Sequence, residues 1–332
     1  MKRNIVLICF ALSISTLGLS QKKSPITEGN IRLDMFEKHL KMKDTSAFGD
    51  MPWQFLGPVN ISGRCTDVEV VRPKGQSYTL YAAVASGGVW KSVNEGITWE
   101  PVFDQAASTS IGDIALDPSN PDVLWVGTGE ANIFRSSMAG CGIYKTTDGG
   151  QSWEHKGLEN TNTIARIIVD PKNPLVVYVA ASGHEWTANK DRGVYKTENG
   201  GNTWQNILYI NDMTGAIDLV MDPEDHLTLY AATWQRIRKK WNDPRTEQNY
   251  TGSGIHKTTD GGKTWKDISN GLPDARFRGR IGIDIAPSNP DVLYTFVDSY
   301  EPAREAEYEE LDSYGRPKGK VIKGATVYRS ED

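Results

Sequence analysis

A chain of 332 residues with a formal charge of −5 offers no cationic footprint for nucleic acid. Its three cysteines, Cys9, Cys65 and Cys141, are too few to staple so long a chain as a disulfide framework. No apolar run after residue 20 has the length of a membrane span.

Residues 1–20 read as a secretory signal peptide. Lys2 and Arg3 make the charged start, Ile5 to Leu19 is apolar, and Gly18 and Ser20 precede a cut at Ser20–Gln21. Cleavage would remove Cys9 and move the formal charge from −5 to −7. The expected location is secreted, periplasmic or at the cell surface. Cys65 and Cys141 then have two readings, a disulfide or two buried free thiols, and the second is favoured.

Residues 21–52 form an N-terminal extension. Ile31, Leu33, Met35, Phe36 and Leu40 among charges predict one amphipathic helix, roughly Glu28 to Lys43, on the flank of the main domain. Trp53-Gln54-Phe55-Leu56-Gly57-Pro58 comes next and lines up with later segments that begin at Trp99, Trp153, Trp204 and Trp265.

From there the chain repeats. Ser92-Val93-Asn94-Glu95-Gly96-Ile97-Thr98-Trp99 returns as Thr146–Trp153, Thr197–Trp204 and Thr258–Trp265, with the tryptophans 54, 51 and 61 residues apart. Such a period marks a repeat architecture. Before each motif come a short Ile/Val-rich run, a turn with Asn or Pro, a second apolar run such as Val177–Ala181, and a third led by Gly, such as Gly193–Lys196. Short β-branched runs bounded by turn residues read as strands. Four antiparallel strands per repeat make a propeller blade, so residues 53–332 predict an all-β, partial β-propeller. About four and a half blades are expected, near 59–108, 109–162, 163–214, 215–275 and an incomplete 276–332. The ring is read as incomplete. A fifth motif starts at Ser330-Glu331-Asp332, so the chain is expected to be the N-terminal part of a longer protein, with its C-terminal remainder as a partner.

The motif resembles the Asp-box, or BNR repeat, of sialidases, sortilin-type receptors and xyloglucan-cleaving glycosidases. The chain as a whole resembles secreted bacterial BNR proteins of the sortilin (VPS10)-like propeller superfamily, often labelled glycosyl hydrolases. Ser86-Gly87-Gly88-Val89-Trp90-Lys91, Gly127-Thr128-Gly129-Glu130 and Gly183-His184-Glu185-Trp186 carry that resemblance, with Ala232-Thr233-Trp234-Gln235-Arg236 and the Trp53–Pro58 segment. It implies that the box closes the hairpin between strands three and four and is structural. It also implies that a lone leading fourth strand completes a last blade. The four box tryptophans are then expected to be largely buried.

Function is expected on the opposite face, where loops join strands two and three. Three arginines, Arg64, Arg166 and Arg280, stand at the entries to first strands and are read as equivalent repeat positions facing one end of the channel. Two readings compete for them. They ring a ligand, since guanidinium binds carboxylates and hydroxyls in fixed geometry, or they pair with loop carboxylates such as Glu130 and Glu185. The expected ligand face comprises Arg64, Glu130, Arg135, Arg166, His184, Glu185, Trp186, Trp234, Gln235, Arg236 and Arg280. The loop from about Asp298 to Lys323 is long and acidic.

Enzyme signatures are sparse. There is no Arg-Ile-Pro of the sialidase type, and Ala85 stands where the resemblance to xyloglucan-cleaving enzymes would place a catalytic Asp. Histidines are scattered singly, so no metal and no cofactor is expected. The first reading is therefore a binding or scaffold propeller for a peptide or glycan. The second is a glycoside hydrolase with some catalytic residues beyond Asp332.

Overall fold

The computed structural model describes residues 27–49, 51, 64–71, 77–132, 138–238, 250–312 and 315–330. The signal segment, the Trp53–Pro58 strand and Arg135 lie outside the described residues. Among the described residues one α-helix, α1 (Gly29–Asp44), precedes five antiparallel sheets.

Blade 1 is β1 (Cys65–Val71), β2 (Thr79–Val84), β3 (Gly88–Ser92) and β4 (Glu100–Pro101). Blade 2 is β5 (Ile111–Asp117), β6 (Asn120–Thr128), β7 (Ile143–Thr146) and β8 (Glu154–His155). Blade 3 is β9 (Ile164–Val169), β10 (Val177–Ala181), β11 (Gly193–Thr197) and β12 (Gln205–Leu208). Blade 4 is β13 (Thr214–Met221), β14 (Leu229–Gln235), β15 (Gly254–Thr258) and β16 (Lys266–Asp267). Blade 5 has three strands, β17 (Arg278–Ile285), β18 (Leu293–Glu305) and β19 (Lys320–Ser330). Strands follow chain order in every sheet, and the first strands of successive blades touch each other. These are β-propeller blades, with the first strands innermost.

Each Asp-box closes the last hairpin of its blade. In the second, Asp148 Oδ1 accepts from the N–H groups of Gln151 and Ser152 at 2.9 Å, and Gly150 N–H donates to Thr146 Oγ1 at 3.0 Å. The Asp260 box repeats this. Asn94 and Asn199 substitute an amide that donates to Thr98 and Thr203. Gly149, Gly200 and Gly261 donate to the carbonyls of Asp122, Leu175 and Leu227, which places each box at the same end as the turn between strands one and two. These glycines hold φ near +69°, +67° and +69°, while the first box puts Glu95 there at +62°. An L side chain is strained in that region.

Box and neighbouring blade interlock. Tyr81 OH and Lys91 Nζ both donate to the carbonyl of Gly149 in the next blade. Tyr178 OH likewise donates to Gly261 O. In return, Trp153 Nε1 donates to Val102 O and Trp204 Nε1 to Lys156 O, each at 2.6 Å, in the preceding blade. The box tryptophans are nevertheless half-buried rather than core, and Trp99 is 38% exposed. Trp99 also has no earlier blade against it among the described residues. Among the described residues the fully buried indole is Trp125, at 0% exposure on β6.

Other expectations change. The thiols are free, with Cys141 buried but Cys65 exposed. Helix α1 buries only Gly29. Its first turn is anchored by hydrogen bonds, while Leu33, Phe36 and Leu40 are half-buried and Ile31 and Met35 exposed. Gly29 N–H donates to Asn160 Oδ1 at 2.8 Å, and Arg32 donates to Gly140 O at 2.8 Å. A Cβ on Gly29 would lie 2.0 Å from Glu159 O, so only glycine docks this close. The acidic 298–323 segment is largely a β-ribbon, because β18 and β19 stay paired outward to Glu305 and Lys320.

Candidate functional site

Every first strand carries a bulge near its entry, at Cys65/Asp67, Ile111/Asp113, Ile164/Arg166, Ala216/Asp218 and Arg278/Ile281. A bulge re-aims side chains next to a rim. Just past it, Asp67, Asp113 and Asp218 accept from the backbone N–H groups of Ile114 (3.4 Å), Ile167 (2.6 Å) and Ile283 (3.0 Å) in the following blades. Blade 3 has Arg166 at this position. Its guanidinium reaches Asp113 at 3.3 Å and Asp218 at 3.1 Å. Burial opposes its charge, yet the two carboxylates prevail and raise its pKa. Burial pushes Asp113 well above the usual carboxylate range, against the pull of Arg166.

The three arginines are therefore not register equivalents. Pairing aligns Arg166 with Asp67, Asp113 and Asp218, whereas Arg64 precedes β1 and Arg280 lies inside the bulge of β17. Arg64 makes a bidentate pair with buried Glu130, at 2.8 and 2.5 Å. Arg280 is half-buried, feels Asp218, Arg166 and Glu130, and has no ion pair among the described residues. Burial lowers its pKa.

A second group gathers between blades 3 and 4. A recess with room for a water-sized group, about 20 Å³, is lined by residues that include His184, Glu185, Arg192, Trp234 and Arg236. Ala131 of blade 2 also borders it. Glu185 is buried and faces two guanidinium groups, Arg236 in direct contact and Arg238 at 3.5 Å. Arg236 lies over the Trp234 ring at 4.4 Å, and its Nε is buried with no acceptor among the described residues. Trp186 is 47% exposed, with Arg238 5.4 Å from its ring centroid. Burial and Arg192 lower the His184 pKa, so its imidazole is neutral near pH 7. Gln235 points inward, where its Oε1 accepts from Thr251 and Gly252 N–H at 2.9 and 2.8 Å.

The expected face thus resolves into two clusters. Arg64, Glu130, Arg166 and Arg280 share the axial end, while His184, Glu185, Trp234 and Arg236 line the recess and Trp186 is only their neighbour in the chain. Arg192 was not expected. It is 1% exposed and donates to the carbonyls of Ser182 (2.7 Å), Met213 (3.3 Å) and Thr187 (3.1 Å), to His184 O, and to Asn189 Oδ1 (2.9 Å). The 182–192 loop is folded around this guanidinium. A signal existed, since the residue before the third-strand glycine is Gly87, Cys141 or Ser253 in the other repeats and Arg only here.

The family described as Sortilin, neurotensin receptor 3 (Sortilin-Vps10) matches residues 141–311, about half of the chain, and the chain belongs to this family. A xyloglucanase from Paenibacillus sp is 25% identical over 279 residues, covering 74% of this chain and 24% of the relative. Among solved structures, an ancestral GH74 enzyme superposes with a TM-score of 0.55 at 25% identity, covering 74% of this chain and 29% of that one. The GH74 enzyme of Niastella koreensis gives 0.51 at 21% identity, covering 76% and 35%. The chain thus spans about a quarter of the length of the curated relative and is a glycoside-hydrolase-like propeller in fold. Among the described residues no group of three or more His, Cys, Asp or Glu is placed to hold a metal, and no helix is long and apolar enough to cross a membrane.

Proposed function

We propose that the chain is an extracellular binding propeller that recognises a glycan on the face opposite its Asp-boxes. The observation that carries this reading is the state of the two loop glutamates. Ordinary glycoside hydrolysis needs two carboxyl groups flanking one open cleft. Glu130 is buried under Arg64, and Glu185 under Arg236 and Arg238, so each is committed to guanidinium partners. Ala85, at the position where the resemblance calls for an Asp, is buried and carries no acid. What remains at the surface is Trp186, next in the chain to Glu185, and an exposed flat indole suits stacking on a sugar ring. The signal-like residues 1–20 support an extracellular location.

The likeness to a xyloglucanase favours a second reading, hydrolysis of a β-glucan. Affinity electrophoresis of the full chain in gels containing neutral or acidic polysaccharides separates the two, combined with a reducing-end assay on the same polymers. The binding reading expects retardation by at least one polymer without new reducing ends. Release of reducing ends overturns it in favour of hydrolysis, and no retardation by any polymer overturns it outright.

A further inference from the structure

We propose that the outward face of α1 is a self-association surface, on which a second copy of this chain lays its own α1 antiparallel. The inference goes beyond the glycan-binding reading and does not depend on it.

Helix α1 is apolar on two opposite sides. Leu33, Phe36 and Leu40 form a half-buried stripe, the usual state of a helix lying on a domain. Ile31, Met35 and Met42 form a second stripe, and they are 45%, 65% and 62% exposed. Together with Lys38 they are spaced four, three and four residues apart, which sets all four side chains along one line of the helix. Phe48, just past the helix end, is exposed as well. A helix apolar on both sides belongs between two surfaces, and its own chain supplies one of them. Hydrogen bonds from Gly29 to Asn160 and from Arg32 to Gly140 fix the first turn, so the outward stripe is held in place before a partner arrives.

Charge selects the partner. Asp34 and Lys41, both exposed, flank the outward stripe on the same side. In an antiparallel pair centred between Met35 and Lys38, Ile31 meets Met42 of the second copy and Met35 meets the aliphatic stem of Lys38. Asp34 then comes beside Lys41 of the second copy, and every contact occurs twice, as a two-fold dimer requires. A parallel pair would instead set Lys38 against Lys38, with like charges in the seam. A lipid surface fits less well, because Asp34 borders the stripe where an interfacial helix carries Lys or Arg. The helix of 16 residues is about 24 Å long, and pairing two of them buries roughly 800–1,000 Å² in total, the size of a weak, reversible interface.

The test is sedimentation equilibrium of the full chain under reducing conditions, so that exposed Cys65 cannot cross-link copies. Between about 1 and 200 µM the chain is expected to pass reversibly from monomer to dimer, with nothing larger. Met42→Glu, at an exposed position, should weaken the dimer by about tenfold or more with unchanged far-ultraviolet circular dichroism, whereas Tyr308→Ser, at another exposed aromatic side chain, should leave it intact. Asp34→Lys and Lys41→Asp singly should each weaken it by about threefold or more, and the two together should restore it, because the reversed charges are again complementary. A monomer at every concentration would overturn the proposal. So would a dimer that Met42→Glu leaves intact, since another surface would then hold the copies together, or a double reversal that restores nothing. A monomer that instead sediments with vesicles of phosphatidylcholine and phosphatidylglycerol, and loses this with Met42→Glu, would assign the face to a membrane surface and overturn the pairing.

Discussion

Trp125→Ala tests how the blades are held together. Trp125 is fully buried on β6 and its ring stands edge-on to Trp204 of the next blade, with centroids 6.3 Å apart. Lys145 Nζ lies 4.8 Å from its centroid, and a Cβ on Gly201 would come within 2.9 Å of the indole. A buried Trp removes roughly 150–250 Å² from water, worth about 4–6 kcal/mol at about 25 cal/mol per Å². The edge-to-face pair adds about 0.5–1.5 kcal/mol. Against this, Nε1 is buried without an acceptor among the described residues, which gives back about 1–3 kcal/mol. Truncation should therefore cost about 3–5 kcal/mol. Trp125→Tyr is the informative partner, because Tyr81 and Tyr178 hold the same place and bond to Gly149 and Gly261 in the next box. It removes the orphaned donor and restores the repeat's own joint, so its cost should stay below about 2 kcal/mol. Urea denaturation followed by circular dichroism at 25 °C measures both. A loss under about 1 kcal/mol for Trp125→Ala, or equal losses for the two variants, would refute the reasoning.

Glu95→Gly should stabilise by about 0.5–1 kcal/mol, because it relieves a left-handed residue where the other boxes carry Gly; a lower melting temperature would contradict this. Trp153→Ala should cost about 2–3 kcal/mol for half-burial plus its bond to Val102, and more than Trp99→Ala, whose indole bonds only to its own turn; parity in urea midpoints would count against it. Hydrogen bonds, led by that from Ser152, hold Asp148 well below the usual carboxylate range, so its stabilising contribution is present above about pH 4 and lost as pH falls. Asp148→Asn should keep the box, as Asn94 and Asn199 do, and reduce acid lability, whereas Asp148→Ala should lower the melting temperature at pH 7; indistinguishable thermal scans would defeat this. Burial, with Asp67 beside it, raises Glu69 to about 7 from 4.5. A raised carboxyl stabilises fully below its unfolded pKa and loses that contribution as pH rises through about 7, so Glu69→Gln should flatten stability between pH 4.5 and 7. Identical pH–stability slopes in wild type and variant would reject this.

The blade repeat was legible because its causes are local. Gly149, Gly200 and Gly261 supply positive φ, Asp or Asn two positions upstream of the second Gly caps the turn, and β-branched runs alternate with turn residues at a fixed period. The exposure of each box Trp was not local. It depends on how far the indole reaches over the preceding blade, which differs between Trp99 and Trp204. Likewise, spacing grouped Arg64, Arg166 and Arg280, but bulges at the strand entries shift register by one residue and side chains with it, so pairing put Arg166 among aspartates instead. His184, Glu185 and Trp186 were visible as a loop cluster. That Glu185 is buried under two arginines, and that Arg192 holds the loop through carbonyls, required the approach of chain segments up to 53 residues apart. Sequence alone determined the repeat, the turn chemistry and the rim on which polar loops gather, since propensity and periodicity act between near neighbours. Only tertiary structure decided which charges neutralise one another and which donor was left without an acceptor, because burial and distance between blades set those energies.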